Sequence, residues 1–477
     1  MTGDSHNPDD SHNPDDSRDS GGRSAIGRVR RGGQVGGVVA RHAARSALAS
    51  AISPLRSPEA DAAAREAVLL KLADDIVATA GAMRGAAHKL GQVIALVGAG
   101  IASEQTRAEF SRRLAPLFNA VPQWDDAAMH AVLRRSLGRR FDDIETIEGP
   151  VASASIGQVY RARLRDGRDV AVKVKYPDID HMVRADLKNL RVLGRVLAPY
   201  MSVANSKSIV EEVIRQISAE LDFRAEARHQ HAYALRYVDH PAFRIPDVVE
   251  DLCTNAVLVS EWLDGIGFDD ACDMGDAQRD AVGEIVYRFY CGEMYRIGHF
   301  VADPHPGNVL VLPDGRVGFV DYGLCVELSP EQLLVERTIF SALLRQDRAE
   351  VYRLAQAAGF VGQTDETSPD VLWKYITSAV GWHLSPGVRT LSPDDAAESA
   401  AAALLMRGED SAALGSQTLI EAHAFGRRNE LATSALLGRL RATGPWSAIA
   451  REVLGLAGPA TALGAEIAQW LTRSRQS

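Results

Sequence analysis

The sequence predicts an α+β fold of two lobes, in which a small β-containing lobe precedes a larger helical one. Residues 151–175 hold two β-rich runs on either side of an Arg-Asp-Gly turn at 165–167, as expected for a β-hairpin. Most of the remaining chain repeats its apolar residues every three or four positions, which is the period of a helix. A second hairpin pattern at 309–320, around a Pro-Asp-Gly turn, lies within the later helical region.

The composition is that of a globular protein and argues against several classes. Hydrophobic residues make up 46% and charged residues 24% of the chain, which is an ordinary globular balance. A length of 477 residues is enough for one large domain or two ordinary ones. A net charge of -9 provides no overall attraction for nucleic acid. The four cysteines form no C-x-x-C pair, so we expect neither a disulfide framework nor a zinc site and assign the chain to a reducing cytoplasm. Without a signal-peptide core or a run of about 18 uncharged apolar residues, no spanning helix is predicted.

Shifts in composition divide the chain into four predicted segments. Residues 1–35 contain a tandem DSHNPD repeat and few large apolar groups, so they cannot offset the entropy of ordering and are predicted to be a disordered tail. Residues 36–125 are predicted to be a helical extension, in which Pro54 and Pro58 break the helical pattern once. Residues 126–265 are expected to form the β-containing lobe with an inserted helix, and residues 266–477 the helical lobe with the C-terminal helices.

Within these segments the apolar periodicity locates individual elements. Helices are predicted at about 125–137, 180–200 and 207–237. A strand is predicted at 256–260, just before the sequence Glu-Trp-Leu-Asp-Gly. From residue 330 to the end of the chain, only helices are expected.

The region around the second hairpin carries side chains suited to phosphoryl transfer. Asp303 and Asn308 show the D-x-x-x-x-N spacing of a kinase catalytic loop. Asp321 follows the hairpin and precedes Gly323, as the Asp of a D-F-G motif does. Because a hairpin returns the chain to its starting edge, Asn308 and Asp321 are expected to lie together and to supply oxygen ligands for Mg²⁺.

The first hairpin supplies a cation for the same chemistry. Residues 170–173 have the sequence V-A-V-K, which matches the V-A-I-K strand whose lysine contacts nucleotide phosphates and pairs with a helical glutamate. Taken alone this match is weak, because a solvated strand lysine is the commoner occurrence. The order of the whole series, from Lys173 through a helical glutamate to Asp303, Asn308 and Asp321, predicts a two-lobed protein-kinase-like fold that binds Mg-ATP.

Three features depart from ordinary protein kinases. No G-x-G-x-x-G precedes Lys173, and in its place stands a run of small residues whose Cβ atoms limit how closely the backbone approaches a phosphate. A whole extra helix separates Lys173 from Glu226, and no A-P-E sequence follows Gly323. The small-residue run consists of Ala152, Ser153, Ala154 and Ser155.

With these departures the chain resembles the UbiB/AarF/ADCK-type atypical kinases, from about residue 80 to 345 and more weakly to about 450. Residues 88–92, H-K-L-G-Q, are similar to the family's K-x-G-Q motif, and residues 152–155 to its Ala-rich loop. Residues 220–226, E-L-D-F-R-A-E, resemble its E-x-D motif followed by the helical glutamate. Residues 301–308, V-A-D-P-H-P-G-N, resemble H-A-D-P-H-P-G-N, which is highly specific.

The resemblance implies a role for each residue of the site. Lys173 would pair with Glu226 and contact the nucleotide phosphates. Asp303 would occupy the catalytic-base position, and Asn308 and Asp321 would bind Mg²⁺. The remaining implied positions are two hinge residues that face adenine, Glu261 and Leu263, and four residues of the contact made by the N-terminal extension, Lys89, Gln92, Glu220 and Asp222.

The resemblance also implies a function. In the family, the K-x-G-Q extension occupies the ground where a protein substrate would lie, which favours ATPase or small-molecule phosphoryl chemistry in quinone or isoprenoid lipid metabolism. We therefore expect a Mg-ATP-dependent atypical kinase or ATPase, with ATP and ADP as its nucleotides. Two alternatives stay open, which are a protein kinase acting on serine or threonine and a nucleotide-dependent scaffold with little catalysis.

Two positions differ from the family pattern, and a group of N-terminal arginines bears on whether the chain contacts a membrane. Val301 replaces the usual first His, for which we expect a modest loss of activity, and Ser153 brings a hydroxyl to the Ala-rich loop. Arg28, Arg30 and Arg31 precede small and apolar residues, which fits either peripheral membrane contact or a helix packed on the core. Besides ATP, the expected partner is a lipid-like small molecule, and the oligomeric state stays open.

Overall fold

The computed structural model describes residues 124–154, 156–184, 217–361, 368–404 and 421–474, together with isolated positions between 57 and 113 and at 187 and 214. The predicted tail and most of the predicted helical extension fall outside this part of the chain. The helix predicted at 180–200 is described only near its start.

The described strands are short except for those of the first hairpin region. In chain order they are β1 (Ile144–Ser153), β2 (Gly157–Leu164), β3 (Asp169–Lys175), β4 (Phe243–Arg244), β5 (Val257–Glu261), β6 (Ile266–Gly267), β7 (His299–Val301), β8 (Val309–Val311), β9 (Val317–Phe319), β10 (Cys325–Glu327), β11 (Arg389–Thr390) and β12 (Thr443–Gly444).

The described helices lie mostly after the first sheet. In chain order they are α1 (Asp126–Leu137), α2 (Phe223–Arg236), α3 (Phe268–Ala271), α4 (Asp276–Tyr287), α5 (Glu293–Ile297), α6 (Pro330–Leu344), α7 (Arg348–Ala357), α8 (Pro369–Val380), α9 (Pro393–Leu404), α10 (Glu421–Leu440), α11 (Trp446–Val453) and α12 (Ala462–Ser474). Within this part of the chain, no helix combines the length and the apolar character that crossing a bilayer requires.

The first sheet is antiparallel and has the strand order β1–β2–β3–β5. The hairpin predicted around 165–167 is confirmed, and Gly167 adopts a φ of 90° that suits glycine. Along β3, Val170, Val172 and Val174 are buried in the core, so the alternation of a strand turns Lys173 to the opposite face. The predicted helix at 125–137 is also confirmed, and the Tyr160 hydroxyl of β2 donates to its Asp126 at 2.9 Å.

Helix α2 begins later than the sequence predicts. The prediction of a single helix at 207–237 is wrong, because the chain leaves helical geometry at Leu221 and Asp222. The side chain of Asp222 accepts a hydrogen bond from the backbone N–H of Ala225 at 2.9 Å and so caps the N-terminus of α2. The break therefore falls inside the E-x-D sequence, and Glu226 lies in the first turn of the helix that follows it.

The second sheet has the order β4–β9–β8–β6, and β7 pairs separately with β10. The hairpin predicted at 309–320 is confirmed as β8–β9, and β4 and β6 flank it to complete the second sheet. Strands of two or three residues are too short to show a periodic signal. The ring of Phe319 stacks on Phe289 with centroids 3.7 Å apart, which anchors β9 to the helical core just before Asp321.

The C-terminal region departs once from the expectation of helices alone. Among the described residues after Pro330, the regular elements are helices except for β11 and β12, which pair with each other through Arg389 and Gly444. The indole N–H of Trp446 donates to the carbonyl of Arg389 at 2.9 Å, so this small ladder ties the start of α11 to the segment before α9.

Candidate active site

Three charged side chains from separate elements meet beside the first sheet. Lys173 of β3 places its Nζ atom 2.7 Å from Oε1 of Glu226 on α2 and 3.2 Å from Oδ2 of Asp321, which follows β9. The predicted contact between Lys173 and Glu226 is thus present. Glu226 is only 2% exposed, whereas 36% of the Asp321 side chain is exposed. The cluster is closed on the side of Glu226 and open on the side of Asp321.

In this cluster the single ammonium group of Lys173 forms ion pairs with the carboxylates of both Glu226 and Asp321. Burial lowers the pKa of Lys173, but the carboxylates of Asp321 and Glu226 outweigh burial and leave the pKa raised. Burial raises the pKa of Glu226 to about 7, although the charge of Lys173 opposes this shift. Lys173 is therefore charged at neutral pH, while the carboxylate of Glu226 takes up its proton near neutral pH.

The backbone at Asp321 adopts a conformation that few residues other than glycine take. Its φ is 71°, in the left-handed region, and such strain persists mainly where a site depends on it. Oδ1 of Asp321 accepts a hydrogen bond from the N–H of Gly323 at 3.1 Å. The N–H of Val320 donates to the carbonyl of Asn308 at 3.1 Å, so the two ends of the hairpin bring Asn308 and Asp321 to neighbouring positions.

A hydrogen bond within the segment joins its two ends, Asp303 and Asn308. The amide nitrogen of Asn308 donates to the backbone carbonyl of Asp303 at 3.3 Å. The N–H of Ala302 donates to the carbonyl of Leu324 at 2.9 Å, which fixes this segment beside the residues that follow Asp321. The structure therefore brings the D-x-x-x-x-N loop and the D-Y-G segment together.

The donors in this region fit a magnesium ion and a triphosphate. Because the amide nitrogen of Asn308 donates to Asp303, the amide oxygen is the atom that would bind a metal ion. Asp321 adds a carboxylate, and each oxygen of an ionised carboxylate accepts more than one partner. Mg²⁺ prefers a few such oxygen ligands together with phosphate, and Lys173 supplies the positive charge for phosphate.

The E-x-D segment lies against the D-Y-G segment. A Cβ atom at Gly323 would lie 3.9 Å from Cα of Glu220 and 3.8 Å from Oε2 of Glu226. The buried Lys175 of β3 holds this segment in place, because its Nζ atom donates to the carbonyl of Leu221 and lies 3.0 Å from Oδ1 of Asp180. The first sheet thus anchors both Glu226, through Lys173, and the turn before it.

The small-residue run is only partly a loop. Ala152 and Ser153 belong to β1, which corrects the expectation of a loop at these two positions. The N–H of Ala154 then donates to the carbonyl of Gly157 at 2.8 Å and starts the turn into β2. A Cβ atom at Gly157 would lie 2.3 Å from the carbonyl oxygen of Val174, so this position requires glycine because the backbones of β2 and β3 approach closely.

The two predicted hinge residues differ in what their side chains do. Oε2 of Glu261 lies 2.7 Å from Arg244 and accepts from the N–H of Asp247 at 3.1 Å, so two protein partners already engage the carboxylate. A nucleotide contact at Glu261 would therefore use the backbone. Leu263 packs on β9, since its Cδ1 atom lies 2.7 Å from where a Cβ at Gly318 would stand.

Three predicted site residues, Lys89, Gln92 and Ser155, lie outside the described residues. The predicted contact of Lys89 and Gln92 with Glu220 and Asp222 stays a prediction. Asp222 itself is described, and its side chain serves as the N-cap of α2.

Two residues beside the site were not predicted from the sequence. Lys175 could have been found, because the V-K-V-K alternation places it on the same strand face as Lys173. Arg428 of α10 could not, because it lies 125 residues after its partner and belongs to no local motif. Its Nη2 atom is 3.1 Å from Oδ1 of Asp303.

The described site lies within a region that matches a known protein family. Residues 116–355, about half of the chain, match the ABC1 atypical kinase-like domain. The chain belongs to the ABC1 atypical kinase-like family, also called UbiB. The resemblance predicted from the motifs is confirmed, as is a mixed α/β fold with a kinase-like domain. The matched range includes the lysine, glutamate, aspartate and asparagine positions described above.

Relatives of this family come from several organisms. The chain is 32% identical over 275 residues to the protein ACTIVITY OF BC1 COMPLEX KINASE 1, chloroplastic, of Arabidopsis thaliana, covering 56% of this chain and 40% of that protein. It is 30% identical over 254 residues to the atypical kinase COQ8B, mitochondrial, of Rattus norvegicus, covering 53% and 47%. The matches thus span less than half the length of these two relatives. The structure of Rv3197 with erythromycin from Mycobacterium tuberculosis is similar, with a TM-score of 0.56 and 27% identity over 76% of this chain and 90% of that one.

Proposed function

We propose that this chain is an atypical kinase or ATPase that binds Mg-ATP beside Lys173. The observation that carries the proposal is the placement of Lys173 between Glu226 and Asp321, at 2.7 and 3.2 Å. Active protein kinases require the same lysine–glutamate pair and a metal-binding aspartate. Membership of the ABC1 atypical kinase-like family supports this chemistry.

In the proposed reaction, each residue of the cluster has one task. Lys173 contacts the phosphates, and Glu226 holds the lysine side chain in place. Asp321 and Asn308 hold Mg²⁺, which when bound neutralises charge on the phosphates. Asp303 orients the attacking hydroxyl or water and accepts its proton.

The rest of the proposed site surrounds the nucleotide. The small-residue run, Ala152 to Ser155, faces the phosphates, and the backbone at Glu261 and Leu263 faces adenine. Lys89 and Gln92 of the extension meet the E-x-D segment. The chain accordingly divides into an extension at 36–125, a β-containing lobe at 126–265 and a helical lobe at 266–477.

The proposed acceptor is a small lipid-like molecule of quinone or isoprenoid metabolism, met in the cytoplasm or at a membrane surface. One finding supports a small-molecule partner. The similar Rv3197 structure is a complex with erythromycin, which is a small molecule and not a protein. A compact acceptor also suits a site whose neighbouring extension would limit access by a protein.

The proposal is tested by measuring ADP release from Mg-ATP by the purified chain, alone and with detergent or quinone-containing vesicles. We expect Mg²⁺-dependent turnover that Asp303→Asn removes. Glu350→Gln, which replaces a partly exposed carboxylate paired with Arg353, should leave this turnover unchanged. Turnover by the wild-type chain no faster than that of Asp303→Asn, in every condition, would reject an enzymatic role. Transfer of labelled phosphate from ATP to many proteins of a cell extract would instead favour a protein kinase.

A further inference from the structure

The carboxylate of Asp303 has a partner from a distant part of the chain. Oδ1 of Asp303 lies 3.1 Å from Nη2 of Arg428, which stands on α10 beyond the residues that match the family domain. We propose that Arg428 is a positioning residue of the catalytic centre, which holds the Asp303 carboxylate in one orientation. This inference rests on the proposed role of Asp303 in phosphoryl transfer.

The helix that carries Arg428 is fixed on both sides of that residue. Arg427 lies 2.7 Å from Oε2 of Glu336 on α6. Asn429 is fully buried and donates to the carbonyl of Tyr290 at 2.7 Å. These contacts leave α10 little freedom to rotate or slide, so Arg428 is presented to Asp303 from a rigid support.

The backbone around Asp303 is held, but these backbone contacts do not set its side-chain rotamer. The carbonyl of Asp303 accepts from Asn308, and the N–H of Ala302 donates to Leu324. Among the described residues, Arg428 supplies the contact to the carboxylate itself. A group that accepts a proton must be aligned with the attacking atom. A guanidinium hydrogen-bonded to one carboxylate oxygen restricts rotation of the carboxylate and so fixes the direction of its second oxygen.

The same contact contributes little to folding. The side chains of Arg428 and Asp303 are 37% and 33% exposed, and ion pairs with such access to water add little stability. Loss of Arg428 should therefore change turnover far more than it changes the denaturation midpoint. This difference separates a positioning role from a structural one.

The test compares Arg428→Gln with Arg439→Gln, which removes another half-exposed arginine of α10 that pairs with Asp269. We expect Arg428→Gln to lower kcat for ADP release by about 10- to 100-fold, with KM for ATP and Mg-ATP affinity changed by less than about 3-fold. Arg439→Gln should match the wild type, and Arg428→Lys should recover part of the loss because it restores a cation. A kcat of Arg428→Gln within about 3-fold of wild type, or above it, would overturn the proposal.

A second measurement does not depend on turnover. Crystal structures of the wild type and Arg428→Gln should show the Asp303 carboxylate in different orientations, with the backbone of residues 301–308 unchanged. An unchanged carboxylate would overturn the positioning role even if kcat falls. If the wild type turns over no faster than Asp303→Asn, the proposed function fails, and these two crystal structures alone then decide whether Arg428 orients Asp303.

Discussion

Two networks of charged side chains in this molecule resemble each other in composition and differ in access. In the first, Lys173 bridges Glu226 and Asp321 beside the first sheet. In the second, Arg427 of α10 lies 2.7 Å from Glu336 and 2.8 Å from Glu430, and the Tyr295 hydroxyl donates to Glu430. Burial raises the pKa of Glu226 to about 7 and that of Glu430 to about 7.

The difference lies in what surrounds the carboxylates. Glu430 is fully buried, as is His383 beside it, whose pKa burial holds well below its usual value. Asp321 is 36% exposed, follows a strand and has a positive φ. A shifted pKa therefore does not by itself identify a functional site, because structural ion networks show the same shift. Access to solvent and backbone strain distinguish the cluster around Lys173.

The largest expected effect is a loss of stability when the buried network around Arg427 is broken. Arg427→Ala removes the cation between Glu336 and Glu430 and leaves two buried carboxylates without it, so we expect the free energy of unfolding to fall by about 3–5 kcal/mol. Urea denaturation measures this change. Arg439→Ala, on the same helix but in an exposed ion pair, should change stability by less than about 0.5 kcal/mol. Equal effects of the two variants would contradict the comparison.

Substitutions in the cluster of Lys173, Glu226 and Asp321 should change nucleotide binding and turnover more than they change stability. Asp321→Asn removes the charge proposed to bind Mg²⁺, so we expect Mg-dependent ATP affinity and turnover to fall by about 100-fold or more. A thermal-shift titration with Mg-ATP measures binding independently of turnover. Asp314→Asn, at the tip of the same hairpin, is the matched control and should keep full Mg-ATP stabilisation. Undiminished stabilisation of Asp321→Asn would count against the assignment.

The two glutamates should also share a pH dependence. Their folded-state pKa of about 7 exceeds the ordinary 4.5, so each contributes stability that is complete below pH 4.5 and is lost as the pH rises through 7. Glutamine mimics the protonated form, so Glu430→Gln should reduce the fall in unfolding free energy between pH 5 and 8 by about 2 kcal/mol. Glu350→Gln, in an exposed ion pair, should leave the fall unchanged. A parallel curve for Glu430→Gln would show that its pKa is not raised.

The smallest effect concerns the anchor of the E-x-D segment. Lys175→Gln shortens the side chain that donates to Leu221 and pairs with Asp180, and we expect a loss of about 1 kcal/mol in stability. Chemical denaturation measures this loss. Arg163→Gln, in an exposed pair with Asp169 on the same sheet, should have less effect. A stability of Lys175→Gln equal to that of Arg163→Gln would show that Lys175 does not anchor the segment.

Local patterns explain which parts of the fold and site could be predicted. The hairpins at 165–167 and 313–315 follow from their turn residues, and the helix at 125–137 from its period. The short strands β4, β6, β7 and β10 were missed because two or three residues carry no period. The break at Leu221 was missed because Asp222 interrupts a pattern that otherwise continues as a helix.

By itself, the sequence determined the family, the two hairpins and the side chains suited to phosphate and magnesium, since spacing and alternation are local properties of the chain. Only the tertiary structure decided that Glu261 turns its carboxylate to Arg244, that Lys175 anchors the E-x-D segment, and that Arg428 reaches Asp303. These contacts join residues from different elements. Which side chains meet there depends on how helices and sheets pack, and no local period encodes that packing.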